Sequence, residues 1–160
     1  MTATGTRRAH RIRRLRDSWL EVSVDLDRTG PVDVVTDMDA LSQALAAFGA
    51  GGGFALRLYS EGGPCADSRL IAEDCALELG AALREALGDS VDGARSEVDC
   101  RVEEALARVR LAFECGPDAI VSGDFGTGRI GGPPAEILPV FFHSLANALG
   151  ARIRVNVNRP

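Results

Sequence analysis

Residues 65–89 read C-A-D-S-R-L-I-A-E-D-C-A-L-E-L-G-A-A-L-R-E-A-L-G-D, and they contain a long helical pattern around which the rest of the chain can be interpreted. From about Ser68 to Leu87, alanine and leucine recur at helical spacing, at positions 72, 76, 79, 83 and 87. Gly88 follows the last of them and is a typical helix stop. The pattern therefore predicts a long amphipathic helix that begins among polar residues and buries one apolar stripe.

The residues before this helix predict two strands, a helix and a third strand. Residues 19–26 and 32–36 alternate apolar and polar side chains, and the turn residues 27–31 between them predict a β-hairpin. Residues 39–48 have helical spacing and end at a glycine run, after which residues 54–59 resume strand character. We therefore assign a first half-repeat to residues 17–90.

The second half of the chain repeats this order. Strands are predicted at 105–114 and 119–125, a helix at 135–149 that is stopped by Gly150, and a strand at 152–157. A half-repeat at 97–160 therefore lacks a final helix, and we expect a partner chain to fill that place or apolar surface to remain exposed. The whole chain, 1–160, is predicted to form one domain.

Composition excludes several classes of function. The chain has 160 residues and a net charge of −5, and all 18 of its basic residues are arginine, which excludes Schiff-base chemistry on lysine. No apolar run reaches the roughly 18 residues of a membrane span, and no secretory signal is present, so a cytoplasmic location is predicted. The four cysteines show no metal-binding spacing and are expected to be free thiols.

Six arginines lie between Arg7 and Arg16, and they predict a basic N-terminal arm at residues 1–16. Such an arm can contact a phosphate or a nucleic acid, or it can be a solvated edge strand or a frayed end. We favour the second interpretation, because no aromatic residues are interleaved with the arginines and the remainder of the chain is acidic. We therefore expect neither nucleic acid nor membrane as a partner.

Several further motifs follow one another in a set order. They are L-D-R-T-G at 26–30, G-G-F-A-L at 52–56, E-E-A-L-A-R-V at 103–109 and R-I-G at 129–131. With the stretch at 65–89, they resemble imidazoleglycerol-phosphate dehydratases, in which that stretch reads approximately H-x-D-D-H-H-T-V-E-D before an Ala/Leu-rich helix. The resemblance extends from about Asp17 to Val155.

The resemblance implies an α+β fold. Two similar half-domains of a ββαβα type would each contribute a four-stranded sheet, with the helices packed between the two sheets and the last helix absent here. In this family, subunits assemble into large oligomers with active sites between chains, and Mn²⁺ held by histidines and carboxylates supports loss of water from imidazoleglycerol phosphate.

Position by position, the resemblance places other residue types where the family has histidine ligands, namely at Gln43, Cys65, Arg69, Leu70 and Arg154. It retains carboxylates at Asp17 and Glu73, and Arg129 keeps the position associated with the substrate phosphate. We therefore predict that no Mn²⁺ binds in the family's way and that no cofactor is used. A zinc site built from Cys65, Asp67, Glu73 and Asp17 is the alternative.

These positions lead to the hypothesis of a repurposed, metal-independent enzyme, a lyase, isomerase or cyclase acting on a small organic substrate rather than the histidine-pathway dehydratase. Asp67, Arg69, Glu73 and Asp17 are the predicted catalytic residues. In this reading Arg69 stabilises an oxyanion while Glu73 or Asp67 moves a proton, although Arg69 and Glu73 are also spaced for a simple ion pair. The predicted substrate-binding residues are Arg129, Cys65, Gln43 and Glu104.

The alternative hypothesis is a catalytically silent relative that binds a ligand or another subunit. Under either hypothesis, the expected partners are a small molecule and further copies of the same chain.

Overall fold

The computed structural model describes residues 5–64, 66–114, 116–125 and 135–159. Eight strands and three α-helices lie along the described part of the chain. They are β1 (Arg8–Leu15), β2 (Ser18–Asp25), β3 (Val32–Val35), α1 (Asp39–Gly52), β4 (Ala55–Glu61), α2 (Ser68–Leu87), β5 (Arg95–Val102), β6 (Ala105–Ala112), β7 (Asp118–Gly123), α3 (Ile137–Leu149) and β8 (Arg152–Asn158). The long helix predicted at 68–87 is confirmed by α2.

The strands form two four-stranded sheets with the same topology. Sheet A has the order β1-β2-β4-β3 and sheet B has the order β5-β6-β8-β7. In each sheet the first three strands are antiparallel, and the last strand pairs in parallel with its neighbour. This repetition confirms the predicted two half-domains, but each half begins with three strands before its first helix, where the sequence patterns gave two.

The strand pairing corrects the predicted hairpin. The strands at 18–25 and 32–35 do not pair with each other, because β2 pairs with β1 and β4, whereas β3 pairs in parallel with β4. The hairpin is formed instead by β1 and β2, so residues 8–15 of the predicted basic arm form an edge strand of sheet A, in line with the interpretation favoured above. The strand β5 occupies the same edge position in sheet B, and it was not predicted.

The helices lie between the sheets and provide the core. Helix α2 packs on β1, β2 and α3, whereas α3 packs on β7 and β8, and α1 on β3 and β4. Val22, Leu56 and Leu58 of sheet A and Leu79 of α2 are fully buried. Burial of such side chains contributes about 1.5–3 kcal/mol each relative to exposure, so they stabilise the packing of helices on sheet A.

A glycine sets the contact between the two central helices. A Cβ atom added at Gly80 of α2 would lie 2.8 Å from the Cβ of Ala148 and 2.9 Å from the carbonyl oxygen of Leu145. A side chain at this position would therefore force the α2 and α3 backbones apart. None of the helices in the described part of the chain is both long and apolar enough to cross a membrane.

Candidate functional site

A cavity of about 320 Å³ lies where the β1–β2 turn, the loop after β4 and the start of α2 meet. Of the site residues predicted from the sequence, Asp17 lies in its lining, and Leu70 and Asp74 line it from the start of α2. The lining residues used below are Arg13, Leu15, Arg16, Asp17, Trp19, Ser60, Glu61, Gly62, Gly63, Leu70 and Asp74. Carboxylates, guanidiniums and apolar side chains thus share one concave surface, as is common for ligand sites.

Two consecutive glycines allow the cavity to close at one side. A Cβ atom at Gly63 would lie 2.7 Å from the Cβ of Asp17, so the loop after β4 contacts the β1–β2 turn closely. The backbone N–H of Gly62 donates to Oδ2 of Asp37 at 2.6 Å. This hydrogen bond fixes the loop on which the cavity wall depends.

The floor of the cavity contains an ion pair between a strand and the helix. Nη1 of Arg13 lies 3.1 Å from Oδ1 of Asp74, joining β1 to the second turn of α2. Beside it, Arg11 donates through Nε to Oε2 of Glu78 at 3.0 Å, and this carboxylate raises the pKa of Arg11. The positive charges of the predicted basic arm therefore neutralise acids on α2 and hold the helix against the sheet.

Trp19 contributes an apolar wall with one polar atom. Its Nε1 is buried and has no hydrogen-bond partner among the residues that the structure describes. A buried donor without a partner costs about 1–3 kcal/mol, so this wall favours a polar group supplied from outside the chain.

Of the predicted catalytic residues, Asp17 lies in the cavity. It is exposed in the β1–β2 turn, and no ion pair engages it within the described ranges. Asp67 has a structural task instead, since it is the N-cap of α2 and its Oδ1 accepts from the backbone N–H of Leu70 at 2.8 Å. Its predicted role in proton transfer remains a prediction.

Arg69 and Glu73 lie on the first turns of α2, but neither is in the lining of the cavity. Within the described residues no ion pair joins the two side chains, so the simple i,i+4 pairing is not formed. Gln43 is exposed on α1, and Glu104 is exposed in the β5–β6 turn, away from this cavity. Cys65 and Arg129 lie outside the described residues, and their predicted contacts stay predictions.

Cys75 is buried behind the cavity, and its thiol has low reactivity. Burial raises the pKa of its thiol to about 11, and a hydrogen bond with Ser60 opposes this shift only in part. At neutral pH the thiol is therefore protonated and is a poor nucleophile. Cys75 and Cys100 are both free thiols, as predicted for them, whereas Cys65 and Cys115 are not described.

Sequence reasoning did not find Trp19, Glu61, Asp74 or Arg13 as members of the site. Asp74 is adjacent to Glu73 in the sequence, but the two point to different sides of the helix, and helical phase relative to sheet A decides which one reaches the cavity. Trp19 is the one tryptophan of the chain, a signal that could have been used.

The described residues of one chain do not fit a manganese centre. Among them, no group of three His, Cys, Asp or Glu side chains is close enough to hold a metal ion. At the cavity, Asp74 is already paired with a guanidinium, and the two histidines are elsewhere: His10 pairs with Glu21 on the outer face of sheet A and His143 is exposed on α3. The expectation that no Mn²⁺ binds in the family's way and the alternative of a zinc site both stay predictions.

A family profile described as imidazoleglycerol-phosphate dehydratase matches residues 36–159 of the chain. Among curated proteins, the histidine biosynthesis bifunctional protein HisB of Stenotrophomonas maltophilia is 36% identical over 142 residues, which cover 89% of this chain and 40% of that protein. The protein of the same name from Xanthomonas campestris pv. campestris is 32% identical and covers 97% of this chain and 46% of its own length. The chain thus spans less than half the length of these relatives.

Two solved structures share the fold. The imidazoleglycerol-phosphate dehydratase of Staphylococcus aureus matches with a TM-score of 0.82 and 19% identity, covering 96% of this chain and 85% of the other. The enzyme of Pyrococcus furiosus matches with a TM-score of 0.80 and 21% identity, covering 94% and 80%. These likenesses confirm the α+β architecture of two sheets enclosing helices.

The comparisons overturn the hypothesis of a repurposed enzyme. The similar curated proteins are named for histidine biosynthesis, and the matching family profile is that of the dehydratase. They give no support to an isomerase, a cyclase or a catalytically silent relative. That hypothesis rested on changed side chains at a few expected ligand positions, whereas the similarity to the dehydratase extends over most of the chain.

Proposed function

The chain belongs to the imidazoleglycerol-phosphate dehydratase family, and from this membership we propose that it serves histidine biosynthesis as a dehydratase acting on imidazoleglycerol phosphate. The observation that carries the proposal is the family match over residues 36–159, which runs from α1 in the first half to the end of the second half. Because the chain covers 40–46% of the bifunctional relatives, the proposal concerns the dehydratase reaction alone.

The cavity beside α2 supplies groups suited to this substrate. The substrate combines a flat imidazole ring, hydroxyl groups and a phosphate. Trp19 and Leu70 offer apolar surface to the ring, whereas Arg16 offers a guanidinium to the phosphate. These residues would bind and orient the substrate before any bond breaks.

Loss of water requires one group to remove a proton from carbon and another to protonate the departing hydroxyl. Asp17 and Glu61 both line the cavity, and no ion pair engages either carboxylate among the described residues. We assign proton removal to Asp17, because it sits at the mouth of the cavity in a turn that the Gly63 backbone approaches closely.

The rim of the cavity supports assembly of several copies of the chain. Leu15 and Leu70 flank the opening and are 52% and 47% exposed. Apolar side chains at the mouth of a polar cavity are typical of surfaces that a second subunit covers. A homo-oligomer in which a neighbour closes the cavity would also exclude water from the reacting groups.

The proposal is tested by incubating the purified protein with imidazoleglycerol phosphate, with and without added Mn²⁺, and detecting the dehydrated ketone by mass spectrometry. We expect product in the wild type, and a decrease in kcat of about 100-fold or more for Asp17→Asn, the usual effect of losing a proton-transfer group. Asp89→Asn is the matched control, since this carboxylate is 98% exposed at the other end of α2.

The possible outcomes test the dehydratase activity and the role of Asp17 separately. If the wild type forms no product under either metal condition, the dehydratase proposal is wrong. If the wild type is active and Asp17→Asn matches it, the reaction stands and the role of Asp17 is refuted. Unchanged activity of Asp89→Asn is needed for either conclusion.

A further inference from the structure

Two arginines face each other on the outer surface of sheet B. Arg154 on β8 pairs in register with Arg110 on β6, and on its other side it pairs with Ile120 on β7. Like charges directly opposite on one face of a sheet repel and are destabilising. Neither in-register neighbour of Arg154 is therefore acidic.

In sheet A, the equivalent arginine has an acidic neighbour that can balance its charge. Arg57 and Arg154 are equivalent, because each lies four residues after the left-handed glycine that ends the preceding helix and each occupies the third strand of its sheet. In sheet A, the two in-register neighbours of Arg57 are Ser23 and Asp33. In sheet B, Arg110 takes the place of the serine, and Ile120 takes the place of the aspartate.

A cleft of about 270 Å³ lies over this row. It is lined by Arg108, Arg110, Ile120, Ser122, Arg154, Val155 and Asn156. Three of these side chains are guanidiniums, and none is a carboxylate. Nδ2 of Asn156 donates to Oγ of Ser122 at 2.9 Å, which holds two further polar groups at the cleft.

The carboxylates near this cleft lie on β5, on the other side of β6, and they already form ion pairs with Arg108 and Arg110. Arg108 donates to both oxygens of Asp99 at 2.7 and 2.8 Å, and Nε of Arg110 donates to Glu97 at 2.6 Å. Asp99 and Glu97 belong to β5, the strand that is separated from β8 by β6. For Arg154, no ion pair is formed with any residue that the structure describes.

We propose that this cleft is a binding site for a phosphate group, either free or carried as an ester on a small molecule. Arg154 supplies the uncompensated charge, and Arg110 supplies further N–H donors from the opposite strand. Guanidinium groups match the geometry of phosphate oxygens and bind them through paired hydrogen bonds. The site lies on sheet B, and the inference does not depend on the reaction proposed for the cavity beside α2.

The test is a calorimetric titration of the wild type with inorganic phosphate, and separately with glycerol phosphate, at constant ionic strength. Arg154→Gln is expected to weaken binding by about tenfold, the loss of one charge-assisted contact. Ile120→Asp, which restores the carboxylate found beside Arg57, is expected to weaken it at least as much. Arg57→Gln is the matched control on sheet A and is expected to leave the affinity unchanged.

All three positions are on a sheet surface, and unfolding curves of each variant confirm that it is folded before binding is compared. Comparable affinity for the two probes indicates that the phosphate group alone is recognised, and tighter binding of glycerol phosphate indicates an esterified ligand. Wild-type affinity in both Arg154→Gln and Ile120→Asp overturns the proposal. Equal competition by chloride at the same ionic strength overturns it as well, because it indicates general screening rather than a site.

Discussion

Arg13 and Asp74 connect the edge strand of sheet A to the central helix, with Nη1 and Oδ1 3.1 Å apart. Their side chains are 34% and 22% exposed, so the pair lies between a surface and a buried ion pair. The neighbouring pair of Arg11 and Glu78 repeats the contact one turn along the helix. The basic segment at residues 8–15 is therefore not a free arm, because its arginines form ion pairs with α2, the helix that lines the cavity.

We expect Arg13→Gln to lower the free energy of unfolding by about 1 kcal/mol, because a half-screened ion pair is lost while Asp74 stays at the cavity floor. Urea denaturation of Arg13→Gln, Asp74→Asn and the double variant measures the coupling. Arg14→Gln, on the outward-facing side of the same strand, is the control and should change stability by less than about 0.5 kcal/mol. A coupling of zero would show that the pair does not stabilise the fold.

Gly80→Ala should destabilise the protein by about 1–3 kcal/mol, although alanine has the higher helix propensity, because the added methyl meets the α3 backbone. Gly51→Ala is the matched control within α1, where nothing lies within 4 Å of the added Cβ. That change is expected to stabilise the protein by about 0.5 kcal/mol. Thermal unfolding of both variants measures these changes in stability. A stabilising effect of Gly80→Ala would contradict the close packing of α2 on α3.

Asp67 permits a test that separates capping from catalysis. Asp67→Ala should cost about 1 kcal/mol of stability, because the N–H of Leu70 loses its acceptor, whereas Asp67→Asn keeps an oxygen there and should cost little. Dehydratase activity is measured on the same two variants. If Asp67→Asn is as stable as the wild type but inactive, the predicted catalytic role of Asp67 is supported; full activity in Asp67→Asn rules out that role.

The buried thiol of Cys75 predicts a loss of stability at high pH. Its pKa is raised from 9.0 to about 11 in the folded state. Well below pH 9 the thiol is protonated in both states and its contribution is fully present. Between about pH 9 and 11 only the unfolded chain ionises, so the free energy of unfolding falls as pH rises, by on the order of 2 kcal/mol in total.

Chemical denaturation of the wild type and of Cys75→Ala between pH 7.5 and 11 measures this contribution. Other groups titrate in the same range, including Tyr59, whose pKa is raised by its hydrogen bond with Asp33. The difference between the two proteins isolates the thiol. Parallel pH profiles would mean that Cys75 is not buried as the structure has it.

The order and bounds of the inner elements were predictable because their apolar side chains repeat with a helical or a strand period. The helix at 68–87 was predicted to the residue, and the strands at 18–25, 55–61 and 152–158 were found with small shifts at their ends. The strand β5 was missed, and β1 was expected only as either an edge strand or a frayed end; both are edge strands with many charged residues. An edge strand buries little of either face, so its sequence has a weak apolar period.

The site was predictable only in outline. Asp17 was predicted to be catalytic and lines the cavity, whereas Asp67 was predicted to be catalytic and caps α2; both catalytic roles stay predictions. Arg13 was seen as part of a charged run, and nothing in that run indicates that Arg13 faces α2 while Arg14 faces outward. Which of the two arginines faces the helix depends on the pleat of β1 and on its pairing with β2.

The family, the two repeated halves and the long helix could be predicted from the amino-acid sequence, since these depend on local periodicity and on motifs in a fixed order along the chain. Which charged side chains meet depends on the tertiary structure. Asp74 reaches Arg13 and Arg154 lies opposite Arg110 because strand register and helical phase bring together residues that are far apart in the chain. Such distances are fixed by packing of the whole core, and no local pattern contains them.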